Sequence, residues 1–238
     1  MRSTTSVGRI IGALVFLHLA TGLMTPYIML EPVSATPNDF TVAANMETQI
    51  RLAVALLFVG GVIPVAIAIT AWPVVVPRSH ALAQWLFALA IVALAMQIVE
   101  NQHYLSLLSL SREHGRAGSD AAAALAATGP TVRAAWRWAH YTHLLSVVGW
   151  MLLFLSVLFR LVLIPRALAA VGVVTTVMQL VGITLPALLG YRVPFPQAAW
   201  GVPLGLAYLG LSLWLLARGF VSGPQTDLGK AQAKAAAA

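Results

Sequence analysis

The sequence predicts an all-α, polytopic transmembrane helix bundle of about six spans. Three observations predict it. Of 238 residues, 60% are hydrophobic and only 9% are charged, where a soluble domain carries about 25% charged residues. So little polar surface cannot dissolve a globule of this size. The apolar residues fall in runs of about the 20 residues that a helix needs to cross a bilayer. Trp72, Trp85, Trp136, Trp138, Trp200 and Trp214 lie near the ends of those runs, at the level where indole rings settle in a membrane–water interface. Trp150 alone is mid-span.

Composition also excludes chemistry. There is no cysteine, which removes disulfide, haem-thiolate, iron–sulfur and cysteine–zinc sites. The six histidines are the only nitrogen side chains suited to a metal. A formal charge of +7 would suggest nucleic acid in a soluble chain. In a membrane chain, excess Lys and Arg set topology and meet anionic lipid, so no nucleic acid is expected.

The elements follow in order. Met1 to Arg9 is short, polar and basic, and Ile10 to Leu30 is the first span. Its apolar core is too long for a signal peptide, and no clear cleavage site follows. Glu31 to Gln49 reads as a polar loop free of Lys and Arg. The second span covers about Ile50 to Trp72; Pro64 should kink it, and Gly60-Gly61 would let another helix approach closely. The third starts near Leu82 and reaches toward Leu110, longer than a bilayer requires, so it should tilt or project. Ser111 to Arg137 reads as a loop whose polyalanine stretch, Ala121 to Ala127, forms a short surface helix ended by Gly129-Pro130. The fourth span is about Trp138 to Phe159. Arg160 to Arg166 is a tight turn, Ala167 to Leu189 the fifth span, and Ala198 to Ala217 the sixth, with Gly201-x-x-x-Gly205 as a helix-packing signal. Residues 1–220 thus form one transmembrane domain, and 221–238 a disordered tail.

Basic residues orient the bundle. With the N-terminus inside, eight Lys and Arg residues lie on the inner side and six on the outer. The first loop, free of them until Arg51, supports N-inside, because the first helix usually dominates. Six spans then put the C-terminal tail in the cytoplasm as well.

Two polar pairs interrupt the apolar spans. Glu100 and His103 are three residues apart near the end of span three, and His140 and His143 are three apart at the start of span four. Each pair shares a helix face. Glu47 immediately precedes span two. In this topology all five side chains share one membrane level, and consecutive helices are commonly neighbours. Glu-x-x-His and His-x-x-His resemble the ligand sets of carboxylate–histidine metal sites in helical bundles. Glu47, Glu100, His103, His140 and His143 are therefore the candidate ligands of a divalent metal: zinc, iron, manganese or copper. Such a site would suit a metal-dependent enzyme acting on lipid-like or small amphipathic molecules.

The leading reading is a structural or ligand-binding network, with the metal-dependent enzyme as its alternative. In that network Glu47 and Arg51, four apart, pair with each other. Glu100 could accept a hydrogen bond from His103, His143 or Tyr104 and lock two helices together. His18, near mid-span, reads as a packing residue, and His80 and His114 as solvated. A small transporter or regulatory subunit is a third reading; Pro64 and Pro186 offer kinks, but no repeat accompanies them.

Gln49-Ile-Arg-Leu52, Gln97-Ile-Val-Glu100 and Leu163-Ile-Pro-Arg166 resemble the bacterial membrane family known as domain of unknown function 4386. The resemblance runs from Arg9-Ile-Ile-Gly12 to about Phe220. It implies a bundle of about six helices in a bacterial membrane, hence the cytoplasmic (inner) membrane, and it implies no activity. The expected partners are the lipid bilayer, a lipid-like or small-molecule ligand, and a second copy of the chain in a homo-oligomer.

Overall fold

The first helix begins where Ser3 caps it, the side chain accepting from the Ser6 N–H. Such a cap satisfies one of the donors a helix start leaves orphaned. The computed structural model describes residues 3–35, 40–193 and 197–221; the predicted tail beyond 221 lies outside them. Helix α1 is Thr4–Met24 and continues as a π-helical turn, Thr25–Met29. Two short helices follow, α2 (Glu31–Ala35) and α3 (Phe40–Asn45). Then come α4 (Glu47–Val75), α5 (His80–Arg116) and α6 (Ser119–Arg160). After the Pro165 turn, α7 (Arg166–Gln179) passes through a second π-helical turn, Leu180–Thr184, into α8 (Leu185–Leu189). Helix α9 is Gln197–Arg218.

Among the described residues, six helical segments are long and apolar enough to cross a membrane, the signature of a multi-pass membrane protein. Only 28% to 39% of each span's apolar window is buried, so most of that surface needs lipid as its solvent. Leu17, Phe58, Ile69, Trp85, Val174 and Leu206 are among the exposed residues.

The spans form a closed ring. Each packs on its neighbour in sequence (α1 on α4, α4 on α5, α5 on α6, α6 on α7, α7 on α9), and α9 returns to α1. Glycines make the closure. A Cβ on Gly8 would stand 2.1 Å from the Phe220 backbone nitrogen, and one on Gly12 would stand 2.8 Å from the Leu216 nitrogen. The Ser212 hydroxyl donates to the Gly12 carbonyl at 3.0 Å, and Arg9 donates to the Ala217 carbonyl at 3.2 Å. Both described chain ends therefore lie at one end of the bundle. Near it the core is apolar: Ile11, Ile67, Leu86, Trp150, Phe154, Leu158 and Leu215 are buried, and Trp150 stacks on Phe154.

At the opposite end, α2 and α3 are helical where the sequence suggested a plain loop. Leu30, Val33 and Ala43 pack with Ile50, Tyr104 and Leu108 into a second apolar cluster. The larger difference concerns residues 111–137. Helix α5 runs on to Arg116, and α6 starts at Ser119 and passes straight through Gly129-Pro130. Proline removes one backbone hydrogen bond, but the alanines before it and the helix-compatible residues after it hold their own. Helix α4 likewise continues through Pro64 and Pro73.

Candidate functional site

The site rests on a stripe of α5. Gln97, Glu100, Asn101 and Tyr104 follow the i, i+3, i+4, i+7 spacing that lines one helix face, and all four are buried. Glu100 and Tyr104 of the stripe meet α6, where His140 and His143 share a face for the same reason, while Gln97 and Asn101 meet α4. Glu100 Oε1 lies 2.8 Å from His140 Nδ1, and Oε2 lies 2.7 Å from His143 Nδ1. One carboxylate thus takes a ring nitrogen on each of its oxygens. The Glu100 side chain is 4% exposed, His143 12% and His140 30%. The cluster therefore grades from a fully covered carboxylate to a histidine that reaches the edge of the bundle.

The partners of Glu100 are themselves held. The Gln97 amide donates to Asn101 Oδ1 at 3.0 Å and more weakly to Glu100 Oε2 at 3.5 Å; Asn101 donates to the Val54 carbonyl at 3.3 Å. Helix α4 comes this close because of Gly61: a Cβ there would meet the Gln97 side chain at 3.0 Å. Its neighbour Gly60 does the same toward Thr21 on α1, so the glycine pair seats α4 between two helices. One turn outward from the carboxylate, Tyr104 meets Trp136 edge to face, and Trp136 stacks on His140 at 5.9 Å.

Ionised, the carboxylate only accepts hydrogen bonds. Both histidines then carry a proton on Nδ1 and present Nε2 as the free nitrogen. In that state Nε2 can accept a hydrogen bond, take a proton or ligate a metal.

The five sequence candidates separate. Glu100, His140 and His143 come together. Among the described residues no hydrogen bond joins His103 to them; three residues on, it is rotated about 60° around the helix from Glu100 and is only half-buried. Glu47 stands apart. It pairs with Arg51 at 2.7 Å and with Arg112 at 2.8 Å, and Arg112 is about 18 Å along α5 from Glu100 at 1.5 Å per residue. The shared level inferred for Glu47 fails because α5 and α6 project well past the polar pairs, and α4 begins out there with them. Among the described residues no group of three or more His, Cys, Asp or Glu is placed to hold a metal ion. Gln97 and Asn101 were not among the candidates, although their spacing with Glu100 and Tyr104 marks a polar stripe in an otherwise apolar span.

Fold and site together define a class: a six-span helical bundle of membrane type, with one buried carboxylate bridging two histidines between adjacent spans. The chain belongs to the family described as a domain of unknown function (DUF4386), whose profile matches residues 10–219. No curated protein matches the chain, and no solved structure does.

Proposed function

We propose that this is a bacterial cytoplasmic-membrane protein, its termini in the cytoplasm, that binds a small or lipid-like ligand near its extracytoplasmic end through the Nε2 atoms of His140 and His143. The observation that carries the reading is the doubly bridging carboxylate. Burying an ionised carboxylate costs several kcal/mol unless it is well paired, and neutral side chains can join two helices without that cost. What the charge adds is chemistry: it fixes both imidazole tautomers and so leaves both Nε2 atoms with their lone pairs free. Beside the network, α4 and α5 form a mostly apolar groove: Phe58, Val59, Ile98 and Leu105 line it together with Arg51 and Gln102, Asn101 stands in its wall, and the two histidines are not in its lining.

A second reading is a divalent metal, zinc, iron, manganese or copper, on those same Nε2 atoms. It is favoured by the carboxylate–Nδ1 contact, the usual support of a metal-bound histidine. In it Glu100 orients the ligands and is not one itself. Two nitrogens fall short of the three or four protein ligands of a zinc site, which places this reading second.

The test is native mass spectrometry with elemental analysis on detergent-purified wild type and on His140→Ala/His143→Ala. The proposal expects a co-purifying organic mass on the wild type that the folded double variant loses. Stoichiometric metal in place of that mass selects the second reading. Bare protein in both cases, with equal thermal stability, overturns both.

A further inference from the structure

A second set of polar groups lies inside the ring, nearer the middle of the spans than the Glu100 cluster. The ring of His18, on α1, meets Trp150 of α6 edge-on at 6.0 Å and Tyr208 of α9 at 6.5 Å. Three helices thus point an amphipathic ring at one place. The Trp150 Nε1–H and the Tyr208 hydroxyl are buried without a hydrogen-bond partner, and both residues are at most 2% exposed. A membrane interior offers no bulk water to satisfy such groups.

Both π-helical turns add to this. Thr25 opens the first and Thr184 closes the second; each is 0% exposed, and each hydroxyl lacks a partner. Thr25 is seven residues from His18 on α1, hence on the same face and about 10 Å further along. The turn holding Thr184 packs on α6 and α9, the helices that carry Trp150 and Tyr208. A π-turn is a costly local widening of a helix, found frequently at functional sites. Here two of them occur on separate spans, each with a buried unpaired hydroxyl. Val15, Leu204 and Leu211 supply apolar surroundings, and none of the residues named carries a fixed charge.

We propose that the ring interior between α1, α6 and α9 is a binding site for an uncharged amphipathic molecule with an alcohol or carbonyl oxygen. The oxygen accepts from Trp150 Nε1 and Tyr208, and the molecule extends past Thr25 and Thr184. One water makes about three hydrogen bonds within its own reach, whereas these orphans spread over about 10 Å along α1. An apolar pocket with a few convergent polar groups is the usual form of a small-molecule site. The four unpartnered groups, on Thr25, Trp150, Thr184 and Tyr208, do not belong to the Glu100 cluster, so the site does not depend on it.

The test is ¹⁵N–¹H spectroscopy of the tryptophan indoles of the full chain in lipid nanodiscs, titrated with 1-octanol, 2-octanone and, as an apolar control, n-octane. Trp150→Phe identifies the Trp150 signal; Phe154→Leu, which removes its stacking partner, identifies it independently if the first variant does not fold. The Trp150 signal should move saturably with the alcohol and the ketone and stay still with octane. Thr25→Val/Tyr208→Phe should weaken the response about tenfold, and His140→Ala/His143→Ala should keep it. An unmoved Trp150 signal overturns the proposal, leaving water as the only partner. So does a drift shared with the exposed Trp85, or an undiminished response in Thr25→Val/Tyr208→Phe.

Discussion

Removing Glu100 acts on two partners of unequal burial. In Glu100→Leu both Nδ1–H groups lose their acceptor. His140 is exposed enough to turn toward water, while His143 is not. The cost is then set by His143, at about 1–3 kcal/mol for one buried unsatisfied group. Thermal unfolding in detergent should show that loss, with Glu100→Gln milder because the amide oxygen still accepts from one ring. An unchanged unfolding temperature in Glu100→Leu would falsify the buried bridge. A second residue carries backbone strain. Val162, in the turn after α6, has φ of 50°, the left-handed region that costs a residue with a Cβ about 1–2 kcal/mol. Its side chain is 42% exposed, so little packing is at stake. Val162→Asn should raise stability by about 1 kcal/mol in the same measurement, since Asn tolerates that conformation.

At the scale of elements, the closest approach is α1 against α9. Gly8-x-x-x-Gly12 places two glycines on one face, and any Cβ at either meets backbone. Gly12→Val must separate the helices and break the Ser212 bond to the Gly12 carbonyl. Overpacking of this kind costs about 1–3 kcal/mol. The expected result is a lowered unfolding temperature, with faster amide exchange at the start of α1; unchanged exchange would place the ring closure elsewhere. Gly182 holds the other side of α9: a Cβ there would lie 2.0 Å from the Trp200 ring. Helix α6 yields the opposite sign. Pro130 is exposed and interior to the helix, so Pro130→Ala restores a hydrogen bond without losing packing. Proline in a helix interior is about 3 kcal/mol worse than alanine, and the variant should melt higher. A lower melting temperature would mean that the proline serves the projecting segment.

At the scale of the whole molecule, the ring ties both described ends of the chain to one face. Arg9 reaches Ala217, and the Val221 N–H donates to the Leu163 carbonyl. Reporter fusions at Ser79 should therefore report the same side as the termini, and fusions at Ala123 and Tyr191 the other. A matching signal at Ser79 and Ala123 would contradict six crossings. The extracytoplasmic assignment of the Glu100 cluster is tested by the same experiment, because Ala123 stands beyond it on α6.

Much of this was written locally. The all-α class, the six spans, the Arg160–Arg166 turn and the helix-packing role of Gly60-Gly61 follow from composition and short-range spacing, because a bilayer demands long apolar helices and helix faces repeat every few residues. The pairing of Glu47 with Arg51 is local in the same sense. The meeting of Glu100 with His140 and His143 was half legible: spacing placed each pair on a helix face, but only packing decided that the carboxylate would bridge both rings while His103 stayed out of the bridge. The Gly8/Gly12 closure of α1 on α9 joins residues some 200 positions apart, and no local pattern specifies which glycines will meet which backbone. The convergence of His18, Trp150 and Tyr208 is the same case: three ordinary mid-span residues became one polar interior only when the helices closed into a ring. A span's sequence determines that it crosses; which of its faces turns inward is decided by the neighbours it closes against.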